Sequence, residues 1–410
     1  MNKLKQTYCS IITIGDELLI GQTIDTNSAW IAQHLNPLGI PVRRRVAVGD
    51  VKADIIDAIN QERKNADILI ITGGLGPTSD DITKPLLTEY FNTRLIENEA
   101  VRHHVISFFE KRKRPMLDVN LQQALVPESC TVLFNDAGTA PGMLFEDQGQ
   151  VIISLPGVPN EMQFLISAHV LPYLKKNYIT PNFIHRTLIT VGEGESYIAH
   201  RLQSFEEHLP KDIKLAYLPK INIVKLRLTG TDIQESTLEK YFSELKEILN
   251  DIIYADTDID LEQVLGQLLL EKNKTISVAE SCTGGQIAGR ITAVKGASAY
   301  FKGGLVPYSI EIKENVLGVS SHTINQMGVV SEQTVLEMAE KCCLLFKSDY
   351  ALSVSGYLEK NDHGNEVWIG VSNGVRSSAK KIIAPFDREK NTILVVNIAL
   401  NLLRLMILEP

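Results

Sequence analysis

Ile68-Leu69-Ile70-Ile71-Thr72-Gly73-Gly74-Leu75-Gly76-Pro77-Thr78-Ser79-Asp80-Asp81-Ile82-Thr83-Lys84 is the stretch around which the chain is organised. Its apolar opening, rich in β-branched residues and without alternation, predicts a strand buried on both faces. Three glycines then let the backbone turn sharply and approach a ligand closely. Ser79 and Asp80 suit a helix N-cap, which predicts a helix from near Asp81 through Leu86 with Pro85 in its first turn. Strand, glycine loop and helix N-terminus together form an anion site, because unpaired N–H groups point outward there. Two carboxylates in that place would repel a phosphate unless a metal or a bound base compensated them. The pattern points to chemistry on a phosphorylated ligand.

Working outward, Ser10 to Ile14 reads as a first strand that opens into Gly15-Asp16-Glu17-Leu18-Leu19-Ile20-Gly21 and Asp25-Thr26-Asn27. Asp25 or Asn27 can cap the helix Ser28 to Leu35, which Pro37 and Gly39 end. Arg43 to Val48 is a strand ending at Gly49-Asp50, and Ala53 to Lys64 a helix. Val151 to Leu155 is a strand running into Pro156-Gly157-Val158-Pro159-Asn160-Glu161-Met162, where a helix through His169 begins. Alternating strands and helices imply right-handed crossovers and a mostly parallel sheet covered on both faces. Ligands of such sheets lie beyond the carboxyl ends of the strands. The turns carrying Asp16, Asp50, Asp81 and Pro156 all leave strands at those ends, so they are expected to line one cleft.

At 410 residues, with 44% apolar and 22% charged residues, the chain is expected to hold two or three globular domains. Its net charge of −8 argues against a general nucleic-acid binder. The basic run Lys111-Arg112-Lys113-Arg114 suits a solvated helix C-terminus closed by Pro115. Five cysteines are scattered without metal spacing, and the pair Cys342-Cys343 falls in an apolar helical pattern that suits a core. Neither a signal peptide nor a run approaching the ~20 apolar residues of a membrane span is read, so a reducing cytoplasm is expected.

From Asn182 to Asp256 the pattern becomes β-α-β-β-α-β, a small α+β module. It lacks the aromatic platform and basic stripe of an RNA binder and is read as a spacer or dimer-shaping unit. A third domain opens where Asp256-Thr257-Asp258 would cap the helix Leu261 to Glu271. Thr275 to Val278 is a strand entering Ala279-Glu280-Ser281-Cys282-Thr283-Gly284-Gly285 before the helix Gln286 to Ala293. Gly303-Gly304, Tyr308, a short helix around Lys313, and Gly328-Val329-Val330-Ser331-Glu332 follow. Tyr350 to Val354 and Val367 to Val371 are strands, and Asn391 to Leu405 is the closing helix.

In this order, Gly15 to Gly21 with Asp25 to Asn27, Gly73 to Asp81, Leu155 to Met162, Gly192-Glu193-Gly194-Glu195-Ser196, Ala279 to Gly285 and Gly328 to Glu332 resemble the CinA (competence/damage-inducible protein A) family over nearly the full length. The resemblance implies an α/β protein of three domains. These are a molybdopterin-binding-like parallel α/β sandwich (1–178), a small α+β KH-like domain (179–256) and a C-terminal α/β CinA domain (257–410). It also implies a homodimer acting on a nucleotide, with ADP-ribose pyrophosphatase activity in the first domain that needs a divalent metal (Mg, Mn or Co). The third domain is associated with deamidation of nicotinamide mononucleotide.

Carried onto this sequence, Gly73, Gly74, Gly76, Thr78 and Ser79 would cradle the diphosphate, with Asp25, Asn27, Pro156 and Gly157 around the ligand. Asp81 and Asp50 would be the functional carboxylates, and Asp81, Asp16 and Glu161 candidate metal ligands. A hard cation would share oxygen ligands with the phosphates. Asp80 and Asp81 can instead be helix caps, and Asp25 and Asp50 cap and turn residues. The same cleft would also serve a non-catalytic molybdopterin- or nucleotide-binding module. In the third domain Ser281 would be the nucleophile, activated by Lys313 through Tyr308. Helix N–H groups would stabilise the oxyanion.

One departure stands out. Active deamidases of the family carry Gly-Ile-Ala-Gly-Pro-Gly-Gly after the strand corresponding to Ala351 to Val354. This chain has Ser355-Gly356-Tyr357-Leu358-Glu359-Lys360-Asn361-Asp362, and His363-Gly364-Asn365-Glu366 replaces a later Pro-Val-Gly-Thr. Weak or absent deamidation of nicotinamide mononucleotide is therefore expected.

Overall fold

A computed structural model describes residues 7–409 except 79, 80, 179–181, 361 and 363. The chain divides into two compact units, Met1–Ile184 and His185–Pro410.

The first unit is built on a six-stranded sheet in the order Val42–Val48, Cys9–Ile14, Ile68–Thr72, Gln150–Leu155, Gly142–Asp147, Thr131–Leu133. The first four strands run parallel, with Ile70 opposite both Ile11 and Ile153; the last two are antiparallel additions. Ile68–Thr72 is buried at every position, as its unbroken apolar run requires of a strand covered on both faces. Helices Thr26–Leu35 and Pro159–Leu165 pack one face around Ile11, Ile70 and Ile153. Lys52–Arg63 and Thr83–Tyr90 pack the other around Ile12, Leu69 and Ile71. Asp25, not Asn27, caps Thr26–Leu35 by accepting from Ser28 N at 2.9 Å.

Several boundaries differ from the sequence reading. The helix after the glycine loop spans Thr83–Tyr90 rather than starting near Asp81, and its N-cap position is Ile82 without a side-chain cap. The expected caps Ser79 and Asp80 lie outside the described residues. Pro85 does sit in that helix's first turn. Strands Gly142–Asp147 and Thr131–Leu133 were not read from sequence; the second has only three residues, and the first begins at the last glycine of the turn-rich Gly138 to Gly142 stretch. The helix expected through His169 passes into a wider π turn at Ile166–Val170 and resumes as Leu171–Asn177.

The second unit holds the β-α-β-β-α-β module, whose sheet runs Ile213–Lys220, Ile223–Thr231, Phe183–Val191, Ile253–Ala255. Its residues Ile189, Val191 and Ile223 share one core with Leu265, Ile276 and Leu400 of the following domain. That domain has a five-stranded sheet in the order Phe301–Leu305, Ile276–Glu280, Tyr350–Gly356, Glu366–Ser372, Ser377–Ile383. The first three strands are parallel. Helix Leu261–Glu271 is capped by Asp260 with Gln263 in a capping box, not by the upstream Asp256-Thr257-Asp258. Ser331 caps Glu332–Phe346, as expected.

The closing helix is longer than read, Arg388–Leu408, and by length and composition could cross a membrane. It instead packs Val395, Ala399, Leu400 and Leu403 into the domain core. It also buries Asn391, Asn397 and Arg404, a pattern of core helices rather than of lipid-facing ones. The five cysteines are free thiols, and Cys342 and Cys343 are core residues.

Candidate functional site

Two cavities gather the residues singled out above, one in each unit. In the first unit the turns leaving the carboxyl ends of the parallel strands enclose about 350 Å³ lined by Gly15, Asp50, Gly73, Gly74, Gly76, Asp81, Pro156, Gly157 and Glu161, among others. The expected convergence of Asp50 and Asp81 is met. Gly73 and Gly74 have φ of +116° and +64°, a region that side-chain-bearing residues rarely adopt. A Cβ on Gly73 would lie 2.2 Å from the carbonyl oxygen of Ile14. Gly73→Ala combines backbone strain with a backbone clash and should cost about 3 kcal/mol. A melting temperature within 1 °C or so of wild type, by about 2–4 °C per kcal/mol, would refute that reading of the turn.

Asp16 and Asp50 form a reciprocal latch. Asp50 Oδ2 accepts from Asp16 N at 3.1 Å, and Asp16 Oδ1 accepts from Asp50 N at 3.2 Å. The latch ties the first strand's turn to the second's, and Asp16 itself does not line the cavity. Asp81 Oδ2 accepts from both the backbone N and the hydroxyl of Thr78, which folds the glycine loop back on itself. Thr78 lines a smaller adjoining cavity together with Asp81. Asn27 also stays outside the lining; its Nδ2 donates to Gly157 O at 2.7 Å and to Thr72 Oγ1 at 3.3 Å, so it holds the Pro156 turn from behind. Asp25 serves as helix cap, and Ser79 lies outside the described residues. Burial holds the Glu161 carboxyl above the usual range, partly offset by a 2.6 Å bond from Asn135 Nδ2.

Glu17, part of the Gly15-Asp16-Glu17 turn expected at the cleft, lines the cavity. Two further residues escaped the sequence reading, and one of them, the buried Gln123, also lines it. Lys84 is buried behind it, donating to Gln122 O at 3.1 Å and Gln123 Oε1 at 3.4 Å. Burial lowers the Lys84 pKa to about 8, against an opposing pull from Asp81. Its place three residues after Asp81 was the available clue, since Thr83–Tyr90 turns residue 84 back toward the loop.

Among the described residues no three carboxylates, histidines or cysteines are grouped to hold a metal by themselves. Asp16, Glu161 and Asp81 are therefore not a common ligand set. A small divalent cation is usually held by one or two carboxylates plus ligand phosphates, and Asp50 and Asp81, both lining this cavity, fit that mode.

The second cavity, about 290 Å³, is lined by Ser281, Cys282, Tyr308, Lys313, Tyr357, Glu359 and Arg388, among others. Lys313 is 1% exposed. Its Nζ donates to Ser281 Oγ at 3.0 Å and to Pro307 O at 2.7 Å. Burial lowers its pKa to about 8, so at pH 7 a minor fraction, about a tenth, is a free amine that can accept a proton. The contact is direct; the relay through Tyr308 read from sequence is not needed, and Tyr308 is a largely exposed wall residue. Cys282 beside it is pushed up to about 12 by burial and is a poor nucleophile.

Nor do the amides of helix Gln286–Ala293 face this cavity as expected. Glu280 is 1% exposed, and its carboxylate accepts from Ile287 N at 2.9 Å, Ala288 N at 2.8 Å and Thr283 Oγ1 at 2.7 Å. Those contacts occupy the helix's first turn and fix the Ser281-to-Gly285 bend. Arg388 went unnoticed in the sequence because nothing before the fold brings residue 388 near residue 281. Of the replaced loop residues, Asn361 and His363 lie outside the described residues.

Comparison with known proteins places these elements. Residues 10–176 match the probable molybdopterin binding domain, residues 185–255 the damage-inducible protein CinA KH domain, and residues 258–407 the CinA C-terminal domain. A CinA-like protein of Flavobacterium psychrophilum is 49% identical over 353 residues, 85% of this chain and 84% of its own length. One from Cytophaga hutchinsonii is 41% identical over 98% of both chains. The crystal structure of the protein CinA from Thermoplasma acidophilum is 34% identical, covering 40% of this chain and 97% of its own with a TM-score of 0.37. With near-complete coverage at 41% identity and all three domain types in register, the chain belongs to the family of CinA-like, competence-damage inducible proteins.

Proposed function

We propose that the cleft of the first unit binds and hydrolyses a nucleotide diphosphate of the ADP-ribose type, with a divalent cation. The observation that carries this is the meeting of Asp50 and Asp81 with the Gly73–Gly76 turn on one 350 Å³ cavity. Backbone N–H groups of a glycine turn suit diphosphate oxygens. The Asp16–Asp50 latch keeps two neighbouring turns in register so that the cradle is preformed. Asp81, fixed through Oδ2 to Thr78, would orient and deprotonate a water. A cation held by Asp50 and Asp81 would neutralise charge on the phosphoryl oxygens. Buried Lys84 adds a protein-borne positive charge behind Asp81 when protonated. Incubation with ADP-ribose and Mg, Mn or Co should yield AMP and ribose 5-phosphate on chromatography. Unchanged ADP-ribose with every metal would refute hydrolysis and leave a binding module.

A second reading is favoured by the 3.0 Å contact between Lys313 Nζ and Ser281 Oγ. A serine with a buried lysine beside it is equipped for acyl transfer on an amide. The replaced glycine loop still argues for weak or absent activity on nicotinamide mononucleotide.

A further inference from the structure

The cleft of the first unit continues into a second, smaller cavity of about 180 Å³, and the two share Gly76, Pro77, Asp81 and Gln123. Their charges differ in sign. Besides Asp81, the main cavity is lined by Glu17, Asp50 and Glu161 and, among the described residues, by no lysine, arginine or histidine. The smaller one has Lys84 and, among the described residues, no carboxylate other than Asp81. Ser79 and Asp80, outside the described residues, are not basic either. Lys84 is 9% exposed, and its Nζ donates to Gln122 O and Gln123 Oε1, which fixes the ammonium on that side of Asp81. An ammonium has three donors, so one remains for a ligand.

The uncharged walls differ as well. Pro85 closes the smaller cavity with Leu95 and Leu125, which stand on a two-stranded ribbon, Leu95–Glu97 paired with Leu125–Pro127. Gln122 and Gln123 add two side-chain amides. Apolar walls with a few amides suit a purine, whose faces are apolar and whose edge pairs with a glutamine. Sugar hydroxyls donate, and so suit the carboxylates of the main cavity, as an acidic residue serves the ribose of a bound dinucleotide.

Resting on the pyrophosphatase reading above, we propose that the smaller cavity is the adenine-nucleotide subsite and that Lys84 holds the phosphate that leaves, so that water attacks the other phosphorus. Attacking and leaving oxygens lie roughly in line in phosphoryl transfer, and a fixed cation stabilises charge that develops on the leaving side. The oxygen of water bonds to the phosphorus of the ribose 5-phosphate half, on the side away from Lys84. The bond from that phosphorus to the bridging oxygen breaks, and the bridging oxygen departs on AMP. One water proton passes to Asp81 and then to solvent. The second stays on the new phosphate monoester, which sheds most of it near neutral pH. The sum is ADP-ribose plus water to AMP plus ribose 5-phosphate.

Hydrolysis of ADP-ribose by the full chain in water carrying the heavy oxygen isotope, followed by mass spectrometry, reads the direction of attack. The label should enter ribose 5-phosphate; label in AMP, or split between the products, would overturn the assignment. Hydrogen–deuterium exchange with each product alone reads the subsite without turnover. AMP should protect the backbone around Leu95 and Leu125, and ribose 5-phosphate should not. No protection there by AMP, or equal protection by both, would overturn the subsite. Lys84→Met should weaken AMP binding about 10-fold, the loss of one charge-assisted hydrogen bond, and leave ribose 5-phosphate binding within about twofold. Equal losses for the two products would remove Lys84 from its role. Failure to hydrolyse ADP-ribose with every metal rejects the pyrophosphatase reading and the leaving-group role with it, whereas AMP protection at Leu95 and Leu125 would then still uphold the nucleotide subsite.

Discussion

Asp81→Asn is expected to lower ADP-ribose hydrolysis by about 10²–10³-fold, the usual loss when one preorganised charged or hydrogen-bonding group at a reacting centre is removed. Asparagine keeps the shape, and its single carbonyl oxygen can still accept from Thr78 N and Thr78 Oγ1, because both now converge on Oδ2. The loop should therefore hold, with stability changed by about 1 kcal/mol at most. What disappears is the charge that would draw a cation and the basicity that would take a proton from water. Steady-state kinetics beside a thermal melt separates these effects. Wild-type kcat/KM in a normally folded Asp81→Asn protein would move the chemistry to another group, with Asp50 or Glu17 of the same cavity next in line.

Lys313→Met should abolish acylation of Ser281, by about 10³-fold or more, because serine without an adjacent base is a weak nucleophile. The fold should tolerate it. Methionine fills similar volume and removes the cost of burying an amine, while the carbonyl of Pro307 loses its 2.7 Å donor. A deprived buried acceptor costs about 1–3 kcal/mol, and the relieved desolvation opposes that. In wild type the active form is the neutral amine, and burial lowers the Lys313 pKa to about 8. Acylation by a fluorophosphonate should thus rise with pH through 8 and level off above it. A flat profile from pH 6 to 10, or brisk labelling of Lys313→Met, would remove Lys313 from the role of base.

Much of this architecture was legible in the residues. The unbroken run Ile68 to Ile71 announces a doubly covered strand, and strands alternating with helices fix where their turns must meet. The grouping of Asp50 with Asp81 follows from that topology, whereas that of Ser281 with Lys313 comes from the family resemblance. What sequence could not separate was a carboxylate that faces a ligand from one that faces a neighbouring amide. Asp16, Asp25 and Glu280 belong to the second kind, each bonded to backbone N–H groups and outside the cavity linings, whereas Asp50 and Asp81 accept from backbone N–H groups and still line the cavity. Acidic side chains beside turns favour both uses equally, and the geometry that decides between them is fixed only by tertiary packing. Lys84 and Arg388 escaped for a related reason. Each reaches its cavity through helix placement rather than through a motif.

On the proposed function, turns spread over the first 165 positions form a single diphosphate pocket. Hydrogen–deuterium exchange of the full chain with and without ADP-ribose, in the presence of a divalent cation, tests it most directly. Protection should appear together in the backbone around Gly15–Asp16, Gly49–Asp50, Gly73–Gly76 and Gly157, and should be lost together in Gly73→Ala. Protection confined to one of these turns, or found instead around Ser281, would contradict it.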